Sequence, residues 1–277
     1  MIERGIRRAL VFALFSLHAG AGIGQDAPAP AAVPRSPEGS RIINLPSADV
    51  PAPGTLGMLF SHRFAQPLED SDWHSLASFD SGADIGIGVS YVPLRNLEVA
   101  VDRSSNQDDW EIALKYRFFE RSASFPLSVA LRAGADIRTE IFVDRENTYF
   151  AQAIAGLAIG PRIRVTVLPT YVSRTAGTPF VSRPEEDVFN VFGALAVAVS
   201  RTVNLQGEVI PRRGRFGSPG VGWMAAIEKT VLRHRFAFTV GNVRNTTVDQ
   251  YIAPDFNGLP PEDYYIGFNL ARSWKLK

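Results

Sequence analysis

The chain has 277 residues, 45% of them hydrophobic and 21% charged, with a formal net charge of +1. That balance, with no run of Lys or Arg, excludes a phosphate-tracking surface, so no nucleic-acid partner is expected. The absence of cysteine excludes disulfides, thiolate zinc sites, Cys nucleophiles and a lipid-modified Cys anchor, and leaves a chain sized for one large all-β domain or two small ones to be held by its fold alone.

Residues 1–24 read as a signal peptide: Arg4, Arg7 and Arg8 precede an apolar run from Ala9 to Leu17 and a small-residue stretch through Ala21 and Gly24. The apolar run is too short to cross a bilayer, which needs roughly 20 residues. Residues 25–53 are rich in Pro and Ala and are expected to form a mostly flexible periplasmic arm. Within the arm, "RIINLPSADV" at residues 41–50 is apolar enough to dock.

From Thr55 onward, twelve segments have strand character: 55–64, 82–92, 97–104, 109–119, 126–138, 148–159, 162–173, 187–199, 203–211, 220–230, 235–243 and 263–276. Several alternate strictly. Ile85, Ile87, Val89 and Tyr91 face opposite Asp84, Gly86, Gly88 and Ser90, and Trp110, Ile112, Leu114, Tyr116 and Phe118 face opposite Asp109, Glu111, Ala113, Lys115 and Arg117. The sixth and eighth segments are apolar on both parities, which leaves their facing open. No later stretch has the 18 uninterrupted apolar residues of a spanning helix, so any membrane span has to be β.

Apart from the third, 105–108, the connections lengthen and shorten in alternation, with long ones at 65–81 and 244–262 and short ones at 93–96, 160–162, 200–202 and 231–234. Such asymmetry with an even strand count has the form of a bacterial outer-membrane barrel. Residue type decides the facing: glycines beside embedded charges weaken an exposed outer wall, but inside a closed barrel they leave room for large neighbours or water. Nine to eleven tilted residues rise roughly 25 Å, the height of a lipid-facing band. The expected fold is therefore all-β, a single antiparallel up-and-down transmembrane barrel over residues 54–277, in the outer membrane of a bacterium with two membranes and with both termini periplasmic.

Four stretches carry a family resemblance: "RIINLPSADVPAPGTLGMLFSHRF", "SFDSGADIGIGVSYVPLRNLEVAVDRSS", "WEIALKYRFFER" and "YIGFNLARSW". With Ser61–Phe64 closing the first strand, Asp80 ahead of the second, Tyr91 ending it, Arg103–Ser105 after the third and Lys115–Arg117 in the fourth, the chain resembles the bacterial membrane-bound β-barrel domain family of unknown function. The similarity spans residues 41–276. It implies an outer-membrane barrel and supplies no activity, substrate or catalytic residue. One departure from outer-membrane barrels generally is the C-terminal "SWKLK", which lacks a final aromatic residue.

Inward parity assigns Arg63, Asp84, Glu98, Asp102, Glu111, Lys115, Arg117, Arg132, Asp136, Arg138, Arg164, Glu208 and Glu228 to the lumen, a mixture of signs that suggests ion-pair networks narrowing or closing a pore. Tyr91, Trp110, Phe118, Tyr149, Tyr171, Trp223, Tyr264 and Trp274 fall near strand ends as candidate interfacial aromatics. His18, His62, His74 and His234 show no metal-ligand spacing, and no metal or organic cofactor is expected. The arm could plug the barrel or meet a periplasmic partner, and loops 65–81 and 244–262 are long enough to fold inward or bind something outside.

The leading expectation is a narrow pore or closed structural barrel, partnered by the bilayer, the assembly machinery and a small solute. The alternative is a soluble exported barrel binding an apolar ligand. A lesser alternative, an outer-membrane lipid hydrolase using His62, lacks a paired Ser signature and a G-x-S-x-G motif, so no enzymatic activity is expected.

Overall fold

The computed structural model describes residues 41–122, 124–139, 146–175, 186–212, 220–252 and 263–276; the expected signal peptide and residues 25–40 of the arm lie outside them. Twelve strands are present: β1 (Thr55–Phe64), β2 (Ala83–Leu94), β3 (Leu97–Ser104), β4 (Asp109–Phe119), β5 (Leu127–Arg138), β6 (Glu146–Ile159), β7 (Ile163–Thr175), β8 (Glu186–Ala198), β9 (Val203–Arg212), β10 (Gly220–Val231), β11 (His234–Gly241) and β12 (Tyr265–Lys275). Each pairs antiparallel with its chain neighbours, and β12 returns to β1 with Leu59 opposite Ala271, so the sheet closes into a barrel with no free edge. Every strand begins and ends within two residues of its expected limits.

Facing follows the period-2 alternation. In β4, Trp110, Ile112, Leu114, Tyr116 and Phe118 are exposed while Asp109, Glu111, Ala113, Lys115 and Arg117 are buried; in β2, Ile87, Val89 and Tyr91 are exposed while Asp84, Gly86 and Gly88 are buried. In these strands the wall is apolar outside and polar inside, and an apolar exterior is the arrangement hydrocarbon rewards and water does not. A carrier of an apolar ligand needs the reverse, so that alternative is set aside. No helix among the described residues is long and apolar enough to cross a membrane, and crossing falls to the strands.

The two rims differ. At the terminal end, where β1 starts and β12 finishes, β2 and β3 are joined by Arg95 and Asn96 alone. Asn96 takes φ +68°, a left-handed conformation that Asn tolerates, and its side-chain oxygen accepts from Arg117 at 2.8 Å. At the opposite loop end, residues 65–82 carry two single 3-10 turns and hold Trp73, Leu76 and Phe79 exposed. Residues 242–252 of the β11–β12 connection instead turn inward and carry a short helix, α1 (Val248–Ile252), whose residues are all buried.

The lumen has two kinds of lining. The charged side chains assigned inward lie mostly on β1–β5, whereas Phe150, Ile154, Leu168, Val172, Phe192, Ile210 and Met224 of β6–β10 face inward and join one apolar cluster with Ile43, Leu45, Val248, Tyr251 and Ile252. This settles the facing of β6 and β8. Their lumen parity is Thr148, Phe150, Gln152 and Ile154, and Val188, Asn190, Phe192 and Ala194. They looked apolar on both parities because one face meets lipid and the other meets the inserted segments.

Candidate functional site

The lumen is occupied from both ends. Residues 41–50 enter as a tight hairpin, with Arg41 bridged to Pro46 and the Ile42 N–H donating to the Leu45 carbonyl at 2.8 Å. Its apex sits on Glu208 of β9. The Glu208 carboxylate accepts the backbone N–H groups of Ile43 (2.7 Å), Asn44 (3.0 Å) and Leu45 (2.9 Å). Three consecutive N–H groups converging on one anion form a backbone nest. Asn44 also accepts from Arg63 (3.0 Å), and Asn269 donates to the Ile43 carbonyl (3.0 Å).

The descending limb of the hairpin is held by charge. Lys115 donates to the carbonyls of Ser47 (3.3 Å) and Asp49 (2.9 Å) and pairs with Glu98 at 3.4 Å, while Arg164 pairs with the Asp49 carboxylate. On the other limb, Arg41 reaches Asp102 (2.5 Å) and Glu111 (3.0 Å). Burial works against the charge of Arg41, but Asp102 and Glu111 outweigh it and hold the guanidinium above its ordinary range.

From the loop end, residues 242–252 descend to meet the hairpin: Arg41 donates to the Thr246 carbonyl (3.3 Å) and Asn44 to the Asn245 carbonyl (3.3 Å). Asp249 accepts both Nε and a terminal nitrogen of Arg138 (2.9 and 2.7 Å), Thr247 donates to Asp109 (2.6 Å), and the Val248 N–H donates to Glu111 (2.8 Å). Tyr251 packs edge-on against Phe192 at 5.7 Å and accepts from Gln152 (3.3 Å); burial, with Glu111 adding to it, holds its hydroxyl protonated.

Glu111 is the point where wall, hairpin and loop converge, since it also pairs with Arg132, which lies over the Phe150 ring at 4.8 Å. Beside the hairpin lies a cavity of about 40 Å³, room for about three waters. Arg41, Glu98, Asp102, Arg132, Glu228 and Arg235 are among its lining residues.

Of the side chains assigned to the lumen, Arg63, Asp84, Glu98, Asp102, Glu111, Lys115, Arg117, Arg132, Asp136, Arg138, Arg164, Glu208 and Glu228 are all buried. The structure does not bring them into a single network. Arg117 pairs with Glu120 at the terminal rim (2.9 Å), Glu228 with Arg235 (3.2 Å), and Asp84 accepts from Ser104 (3.0 Å). The inserted segments contribute Arg41, Asp49 and Asp249, which strand parity has no means of revealing.

Of the aromatics, Tyr91, Trp110, Phe118, Tyr149, Tyr171 and Tyr264 are exposed, and Trp223 and Trp274 are half-buried against Tyr264 (5.5 Å) and Arg272 (5.0 Å). His62 stacks on Phe268 at 5.1 Å and lies 4.5 Å from Phe64, whereas Ser61 faces the lumen.

Among the described residues, one cluster could hold a metal ion. Asp109, Asp136 and Asp249 are buried and place one carboxylate oxygen each within 4.8 Å of the others.

No curated protein matches the chain. Among solved structures it is similar to the NanC porin, with a TM-score of 0.50 at 9% identity over 80% of this chain and 100% of that one. It also shares features with the outer membrane phospholipase A of Escherichia coli (0.41, 11%, 79% and 89%) and the outer membrane channel DcaP of Acinetobacter baumannii (0.33, 12%, 79% and 72%). The model of the membrane bound beta barrel domain (DUF5777) matches residues 38–274, a span that takes in the lumenal hairpin as well as every strand. With the closed twelve-stranded wall, its apolar exterior and the inserted hairpin already in place, the chain belongs to this family of membrane-bound β-barrel domains.

Proposed function

We propose that the protein is an outer-membrane barrel, terminal end periplasmic, that works as a narrow gated pore for small hydrophilic solutes and is closed at rest by residues 41–50 and the α1 loop. The observation that carries this is the seating of the hairpin on Glu208, Lys115, Asp102 and Glu111 through hydrogen bonds and ion pairs. A permanently sealed interior is filled at least as well by apolar side chains, because buried ion pairs seldom outperform hydrophobic packing. A lining that keeps its charges suits a wall that is hydrated in another state.

A closed structural barrel is the second reading, favoured by the filling of the lumen from both ends. The partners are then the bilayer and the assembly machinery, with a small solute only in the pore reading. No catalytic role is part of the proposal: His62 is held among Phe60, Phe64 and Phe268 on the outer face, and a phospholipase assay is expected to be blank.

Planar-bilayer recording separates the two readings. The refolded full chain is expected to be nearly silent, and Glu208→Gln combined with Arg41→Ala to raise the open fraction. Arg132→Ala in that background should shift ion selectivity toward cations. Variants that remain folded, with heat-modifiable mobility, yet stay silent overturn the pore and leave the scaffold.

A further inference from the structure

We infer that Asp109, Asp136 and Asp249 form a binding site for one hard divalent cation, Ca²⁺ by preference, which pins the α1 loop to the barrel wall. Three carboxylate oxygens mutually within 4.8 Å leave a point no more than about 2.8 Å from each, close to the roughly 2.3–2.6 Å of Ca²⁺–oxygen contacts. The donors come from separate elements: Asp109 opens β4, Asp136 lies in β5, and Asp249 is carried by α1.

The second observation is that part of the cluster is left unsatisfied. Neither oxygen of Asp136, which is 1% exposed, makes a hydrogen bond, and the same holds for Oδ1 of Asp109. Buried carboxylate oxygens without a donor are costly, and native structures supply partners for nearly all of them. Arg138 pairs with Asp249 and Arg132 with Glu111, and Asp109 and Asp136, when ionised, carry together the charge that one divalent ion balances. An all-oxygen donor set favours Ca²⁺ or Mg²⁺ over thiophilic metals. Acids spread over two strands and a loop suit the adaptable coordination of Ca²⁺ better than the strict octahedron of Mg²⁺.

The site is independent of whether the barrel conducts. It is tested by calorimetric titration of the refolded full chain in detergent, stripped with EDTA, using Ca²⁺ and then Mg²⁺. One Ca²⁺ per chain is expected, with a rise in unfolding temperature and slower proteolysis of the 242–264 loop. Asp136→Asn is the decisive variant, because that side chain makes no hydrogen bond whose loss would confuse the result. It should stay folded and weaken Ca²⁺ binding by about 10–100-fold or more, the scale on which metal sites respond to losing a supporting group. Asp109→Asn should do the same. A folded wild-type barrel that binds neither ion at millimolar concentration overturns the site, as does binding that Asp136→Asn leaves unchanged; the carboxyls would then be held neutral by protons.

Discussion

Glu111 receives donors from three parts of the chain: Arg132 on the wall, Arg41 on the hairpin and the Val248 N–H on the loop. Removing one partner from a set like this costs more than the pair is worth, because a charge stays buried alone. Arg138→Ala, which strands Asp249, is accordingly expected to cost about 3–5 kcal/mol, read as loss of hydrogen-exchange protection over residues 247–252. Glu208→Ala deprives three N–H groups of their acceptor, and the hairpin should loosen by at least the roughly 1.5–3 kcal/mol of a single bond to a charged group; limited proteolysis within residues 41–50 reports it.

Gly88 matters for a different reason: a Cβ there would collide with the Asp102 carboxylate, so the missing side chain is what lets Asp102 lie flat and reach Arg41. At the loop-end rim, the Thr139 hydroxyl donates to Asp108, burial opposes weakly and Arg103 adds to it, holding the carboxyl below its usual range. The stability from that contact is present above the unfolded carboxylate value of about 3.9 and is lost as pH falls through the lower folded value. Exchange at residue 139 is therefore expected to speed up only below about pH 4.

At the scale of elements, the strands serve two solvents. β6 and β8 present Tyr149, Leu157, Phe189 and Leu195 outward and Phe150, Ile154, Val188 and Phe192 inward, so each is apolar on both faces for two unrelated reasons. Phe192→Ala should cost about 3–5 kcal/mol by opening a cavity under Tyr251, and should release the α1 loop without changing the wall. Ile112→Arg, on the outer face of β4, should instead cost about 2–4 kcal/mol if the position is near the bilayer midplane and should impair insertion. Folding yield into vesicles separates the two: the first variant inserts normally, the second does not.

For the whole molecule, closure of β12 on β1 removes both sheet edges, and the outward face has no stable place except a bilayer or micelle. The refolded chain is expected to be detergent-dependent and heat-modifiable; recovery as a detergent-free monomer would contradict the reading. The hairpin and the α1 loop touch through Arg41 and Asn44, so their release should be coupled. Effects of Glu208→Ala and Arg138→Ala on loop protection should then fail to add, as expected of residues sharing one network.

The sequence by itself determined the strands, their facing where one parity was polar, and which strand-borne charges point inward, because alternation with period 2 is a local property that each strand writes for itself. It also marked the arm and the loops at 65–81 and 244–262 alike as segments able to enter. Only the tertiary structure decided that residues 41–50 and 242–252 enter while Trp73, Leu76 and Phe79 of the 65–81 loop stay exposed, that Glu208 binds three backbone N–H groups of the hairpin, and that Asp109, Asp136 and Asp249 meet. A backbone nest leaves no trace in side-chain pattern. Acids on two strands and a distant loop become neighbours only once the barrel closes and the loop turns inward, so no spacing along the chain encodes them.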